Sequence, residues 1–321
     1  VAPEPGIVVP MSRTLRVVLL ALAVAFAAPG CGKKEPAPGD QPARAAAPPS
    51  AEKVVPAAPE AKPAEPEVKP AETEARNADP DGRVRVIYEE STQPRAKRVR
   101  AKLEGSLEFN GLLKELDAHL RLPKDLPIRF GDCDAEDQGN AYYDEDLREV
   151  RMCWSLVREM ARNFARDARE EDLGREVADA ALVGATMFTM LHELGHALVH
   201  VLDLPITGKE EDVADQLASW LLISDADHAG ADMAIDGALS FLHDAEVEAG
   251  EELATWDEHS LSEQRFYNIV CWVYGSNPEA FADLLESADG PLPDDRAEIC
   301  PDEWQKLARA WPRLLKGHLR R

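Results

Sequence analysis

The chain has 321 residues, enough for one large domain or two small ones, and a formal net charge of −24. Residues 1–31 hold about +1 and residues 32–80 about −2, which leaves roughly −23 on everything after residue 80. A globular part this acidic repels phosphates, which makes it a poor binder of nucleic acid or of an anionic membrane surface; it suits solubility or the attraction of cationic substrates.

Residues 1–10 carry no structural signal, and Met11 reads as the start. Arg13 and Arg16, the apolar run Val17 to Ala28 and then Pro29-Gly30-Cys31 form an export signal: basic, apolar, then small residues. About a dozen apolar residues are too few to span a bilayer, which needs about 20. Ala28-Pro29-Gly30-Cys31 resembles a bacterial lipobox, which implies cleavage before Cys31 and lipidation of that residue as a membrane anchor. The competing reading is cleavage after Ala27 and full release. Either route places the protein in or beyond the bacterial cell envelope, on the periplasmic or cell-surface side. Residues 32–80 are Pro, Ala, Glu and Lys with almost no large apolar side chains, so they cannot offset their ordering entropy. They read as a disordered, partly polyproline-II tether reaching on the order of 150 Å when extended.

The globular domain is expected over 81–321. Val84 to Tyr88 alternates as a strand, and residues 96–121 read as a helix carrying Leu103, Leu107, Leu112, Leu113, Leu116 and Leu120. Ile128 to Phe130 is a short strand. Asn140–Tyr143 and Glu149–Cys153 flank the acidic turn Asp144-Glu145-Asp146, the pattern of a hairpin. Helices are expected at about 155–168, 176–203, 209–224, 229–248, 261–275, 278–287 and 302–317, two of them opened by Asn277-Pro278 and by Pro301. The predicted fold class is α+β, mostly helical: a small antiparallel sheet followed by a helical body. Cys133, Cys153, Cys271 and Cys300 are an even set in an exported chain, which points to disulfides; Cys133 with Cys153 and Cys271 with Cys300 is the local pairing. No C-x-x-C spacing occurs, so these cysteines do not read as a zinc site.

Within the helix at 176–203 lies His192-Glu193-Leu194-Gly195-His196. Residues four apart share a helix face, so both imidazoles can reach one metal ion, with Glu193 beside them to handle the proton of a water. Met187, Leu191, Leu194, Leu198 and Leu202 make the helix apolar and predict its burial, which two histidines and a glutamate tolerate only with partners. Gly195, costly mid-helix, predicts the close approach of another segment. Catalytic zinc takes a third protein ligand and leaves a fourth position for water. In the next helix Thr207 and Glu210 read as a capping box, which leaves Glu211 free as that ligand. Asp215, one turn on, can fix the tautomer of a ligand imidazole.

His-Glu-Leu-Gly-His followed by Glu211-x-x-Ala214-Asp215 resembles the gluzincin metallopeptidases, in which a second helix supplies a glutamate to zinc. The wider run from His192 to Trp220, with QRFYNIVCWVYGSNPEAF and RAEICPDEW further on, resembles a family of exported bacterial proteins classed as metallopeptidases without a characterised function. The resemblance covers roughly 84–317 and implies a zincin-like domain. It implies one catalytic Zn2+ held by His192, His196 and Glu211, with Glu193 as general base. His200 lies four residues after His196, not at the six-residue, Gly-containing spacing of metzincins, and does not read as a ligand. An oxyanion donor is also needed, and His259 is the candidate, set just before a helix that Ser260-x-x-Glu263 caps. Tyr267 and Tyr274 are alternatives, and a plain surface histidine is a competing reading for His259. The expected function is a membrane-tethered, exported zinc metallopeptidase acting on a peptide or protein substrate. The alternative is a non-catalytic envelope lipoprotein with a structural zinc site.

Overall fold

The computed structural model describes residues 82–91, 93–134, 138–224, 229–249 and 255–320. The export signal, Cys31 and the tether lie outside them.

Strand β1 (Val84–Tyr88) forms where the alternation predicts it. Two helices follow, α1 (Pro94–Gly105) and α2 (Leu107–His119), where one was expected. The break is Ser106, whose backbone is extended and whose Oγ accepts the Phe109 N–H at 3.1 Å. A serine offering its side chain to the next turn favours a new helix start over continuation. Strands β2 (Leu126–Gly131), β3 (Ala141–Asp144) and β4 (Glu149–Cys153) complete one sheet in the order β1-β2-β4-β3. The β3–β4 hairpin is antiparallel as expected, but β1–β2 and β2–β4 are parallel. The sheet is therefore mixed and not wholly antiparallel: α1 and α2 carry the chain back over the sheet, so β2 enters in the direction of β1.

The helical body comprises α3 (Trp154–Glu170), α4 (Arg175–Leu202), α5 (Glu210–Ile223), α6 (Ala229–Glu248) and α7 (Ser262–Ser276), then the single turn α8 (Asp294–Ala297) and α9 (Cys300–Leu314). The helix expected over 278–287 is reduced to the 3₁₀ turns Ala282–Leu284 and Glu286–Ala288. Asn277 Oδ1 does accept the Ala280 N–H, but bonds between Leu284, Glu286 and Leu292 fold the chain into a tight loop instead.

Helix α3 is amphipathic, burying Trp154, Val157, Met160, Phe164 and Ala168 at helical spacing. Helix α4 is different: from Ala181 to Leu198 it is buried almost all round, with α3, α5 and α6 packed against it. It is the one described helix long and apolar enough to cross a membrane, yet 83% of its most apolar window is inside the fold. Its composition is that of a core helix. Gly237 on α6 lets that packing close up, since a Cβ there would lie 2.2 Å from the Phe188 side chain. Cys133–Cys153 and Cys271–Cys300 are both bonded, the second tying α7 to the start of α9. Closing loops of these lengths, each contributes about 3–4 kcal/mol by restricting the unfolded chain.

Candidate metal centre

Helix α4 presents His192, Glu193 and His196 together, because four residues make just over one turn. Helix α5 crosses the same face. Its approach is set at Gly195, where a Cβ would lie 2.9 Å from Ala214 Cα, the close contact that the mid-helix glycine predicts. That contact brings Glu211 over the histidines. His192 Nε2 and His196 Nε2 are 3.2 Å apart, His192 Nε2 is 3.2 Å from Glu211 Oε2, and His196 Nε2 is 3.4 Å from Glu211 Oε1.

The far side of each ring is held by a carboxylate. His192 Nδ1 donates to Asp215 Oδ1 at 2.9 Å, and His196 Nδ1 donates to Glu210 Oε1 at 2.9 Å. Because a carboxylate only accepts, each Nδ1 carries a proton, which leaves Nε2 as the nitrogen whose lone pair a ring can offer inward when that atom gives up its own proton. Two ring nitrogens and a carboxylate thus face one another at about 3.3 Å, close enough to share protons or a metal ion. Glu211 Oε2 is buried and accepts no well-directed hydrogen bond. Four ligand atoms about 2.0 Å from a tetrahedral zinc stand roughly 3.3 Å apart, so these donors fit a divalent ion with no rearrangement of the helices.

Charge responds accordingly. Burial opposes a charge on His192, but its bonds to Asp215 and its contact with Glu211 outweigh burial and hold the imidazole pKa up at about 9. Burial also acts to raise Glu211, yet the His192, His196 and His259 imidazoles hold its carboxyl well below the usual range. Glu193 goes the other way: burial pushes its carboxyl up, only partly offset by the two histidines. A site that without metal gathers positive charge around Glu211 is one a cation can occupy.

Two residues here were not foreseen in these roles. Glu210 does not cap α5, whose N-cap is Lys209 with no side-chain bond; the His196 Nδ1–H claims it instead. Arg265 on α7 donates to both oxygens of Asp215, Nε at 2.7 Å and Nη2 at 2.7 Å, and lies over the Phe241 ring at 3.9 Å. Against burial, which raises it, Arg265 holds the Asp215 carboxyl down at about 2. The signal for Arg265 was its place on the Ser262–Ile269 row of α7, a cation on the buried stripe of a helix.

His259 stands beside the centre. Its Nε2 is 3.1 Å from Glu211 Oε2 and its Nδ1 is 3.0 Å from Asp257 Oδ1. The cap expected at Ser260 is absent, because Ser260 Oγ donates to Asp212 and α7 begins after Leu261. Glu211, Glu258 and His259 form a second trio of closely spaced donor atoms that shares only Glu211 with the first. His200 points away and meets the Tyr143 hydroxyl at 2.9 Å. Tyr267 lines a separate cavity and Tyr274 packs on the core, so neither reaches the histidines. A cleft of about 570 Å³ lies over the centre, lined by His192, Glu193, His196 and Glu211 and by the outermost strand, β3. A second cavity of about 280 Å³ adjoins it, sharing His192, Glu193 and His259.

A family model described as "Putative metallopeptidase" matches residues 88–315. No curated protein and no solved structure matches the chain.

Proposed function

From the premise that the chain belongs to that metallopeptidase family, we propose that it is a zinc-dependent peptidase. In this reading it is exported and anchored in the bacterial envelope through a lipid on Cys31, with residues 32–80 as its leash. One observation carries the chemistry: His192 and His196, each with Nδ1 tied to a carboxylate, turn Nε2 onto Glu211 so that three donor groups converge on one point. His192, His196 and Glu211 would hold the ion. When bound, it supplies Lewis acidity and a water of lowered pKa.

The chain's own residues do the rest. Glu193 lines the cleft beside the ligands, and burial pushes its carboxyl toward the range of a working base. It takes the proton of the attacking water and returns it to the leaving amine. Asp215 and Glu210 keep the ligand rings in the tautomer that faces inward. Contact with Glu211, against burial and with Asp257 adding to it, raises the His259 pKa, and in this reading its Nε2–H is the donor to a developing oxyanion. An extended peptide laid along β3 at the mouth of the cleft would gain main-chain hydrogen bonds, which supports a peptide substrate.

Peptide hydrolysis by the zinc-loaded protein and by Glu193→Gln tests the reading. Retained zinc with loss of at least about 100-fold in rate supports it; equal rates overturn it. A second reading, structural zinc in a non-catalytic lipoprotein, draws on His259, whose Nε2 near Glu211 makes it a further candidate nitrogen. It expects no hydrolysis by either protein.

A further inference from the structure

The smaller cavity extends the cleft past Glu193 into the space between α3, α4 and α6. At about 280 Å³ it has room for one long side chain and not for a large ligand. Its walls are of two kinds. Leu156, Met160, Phe188 and Phe241 make an apolar sleeve, and Glu159 and Asp244 add two carboxylates.

The charges on that wall are unbalanced. Asp244 has no hydrogen bond or ion pair to any described residue. The cation nearest Glu159 is the exposed Arg162, 3.9 Å away, which is weak at best. Two other wall residues can carry positive charge outside the metal centre, and both are already engaged. His243 Nε2 bonds Asp167 Oδ2 at 2.7 Å, and Arg265 gives both its short bonds to Asp215. Asp244 and Glu159 both keep access to solvent; the cavity wall still pushes the Asp244 carboxyl up, opposed by His243 and Arg265 and aided by Glu248 and Glu159. A cation entering the cavity would relieve this crowding.

We propose that this cavity is a specificity subsite for a lysine or arginine side chain flanking the scissile bond, with its methylene stem in the apolar sleeve and its charged head on Asp244 and Glu159. Lysine and arginine have this division, an apolar stem under a cationic tip. An acidic side chain would meet two carboxylates, and a short apolar one would leave them to solvent and gain nothing from their charge. The net charge of −24 favours the same substrates at long range, by raising the local concentration of cationic peptides.

The proposal rests on the peptidase reading, so its test has an arm that needs no turnover. Calorimetry on the full zinc-loaded chain would compare n-butylguanidinium with n-butylurea, its uncharged near-isostere, in wild type and Asp244→Asn. The cation should bind at least ten-fold more tightly than the urea, and Asp244→Asn should remove most of that difference. In the second arm, peptides differing only in Lys, Arg, norleucine or Glu beside the cleaved bond are compared. Lys and Arg peptides should be cleaved at least ten-fold faster by kcat/KM, with Asp244→Asn lowering those rates and sparing norleucine. Asp244-dependent binding without cleavage of any peptide keeps the subsite and sinks the peptidase. Cleavage without a basic preference, or cation binding indifferent to Asp244, overturns the subsite and leaves the peptidase standing.

Discussion

Asp215→Asn isolates the support beneath the metal centre. Asp215 is 3% exposed and bonds three hydrogens: His192 Nδ1–H at 2.9 Å and two from Arg265 at 2.7 Å. Asparagine keeps the shape but loses the charge, and its amide must present an N–H to a donor on one side. The consequences separate into two quantities. Stability falls, because Arg265 is left buried opposite a neutral group, and breaking such a pair costs about 3–5 kcal/mol. Zinc affinity falls because His192 loses the carboxylate that fixes its tautomer and raises its basicity, worth about 10–100-fold or roughly 1.4–2.8 kcal/mol. Urea unfolding of the metal-free protein measures the first, and chelator competition for zinc measures the second. Combining Asp215→Asn with Arg265→Gln removes the orphaned cation, so it should recover stability without recovering affinity. Zinc binding by Asp215→Asn within two-fold of wild type would refute the argument that Asp215 acts through His192.

Gly195→Ala should destabilise by about 1–3 kcal/mol in thermal unfolding, although alanine is the better helix former, because the new methyl meets Ala214 backbone at 2.9 Å; a raised Tm would contradict the close approach. Glu210→Gln should weaken zinc binding by less than Asp215→Asn, since Glu210 is 44% exposed and water can replace part of its bond to His196. Asp236, buried on α6 with Oδ1 unpartnered, has its carboxyl pushed well up, by burial first and Asp232 second. An acid whose folded pKa is raised stays protonated in the fold after the unfolded chain has ionised. Stability is therefore fully present below the unfolded value of about 3.9 and is lost as pH rises toward the folded value. Asp236→Ala should flatten the fall in urea-unfolding stability from pH 5 to 8, and an unchanged slope would count against it. Reducing both disulfides should lower the thermal midpoint, as each closes a loop worth about 3–4 kcal/mol.

The parts of the site that lie one helical turn apart were legible in the sequence. His192 with His196, and Glu211 with Asp215, follow from i, i+4 geometry, and Gly195 announced the second helix. Roles that depend on which segments meet in space were not. Thr207-x-x-Glu210 matches a capping box, but a ring N–H across the interface binds Glu210 more strongly than an exposed backbone amide does. Arg265 is fifty residues beyond the aspartate it serves, and nothing local names its partner. Strand alternation located β1 and β2 without encoding their relative direction, which the α1–α2 crossover decides. The cysteine pairing was readable because both bridges are local.

The most direct test of the metal centre is a zinc K-edge X-ray absorption spectrum of the zinc-loaded full chain, with zinc content measured alongside. One ion per chain in a four-coordinate shell of two imidazole nitrogens and two oxygens, losing an imidazole in His196→Ala and unchanged in His259→Ala, is the predicted result. A third imidazole that disappears in His259→Ala, or no stoichiometric zinc at all, would contradict a centre built on His192, His196 and Glu211 with a position left for water.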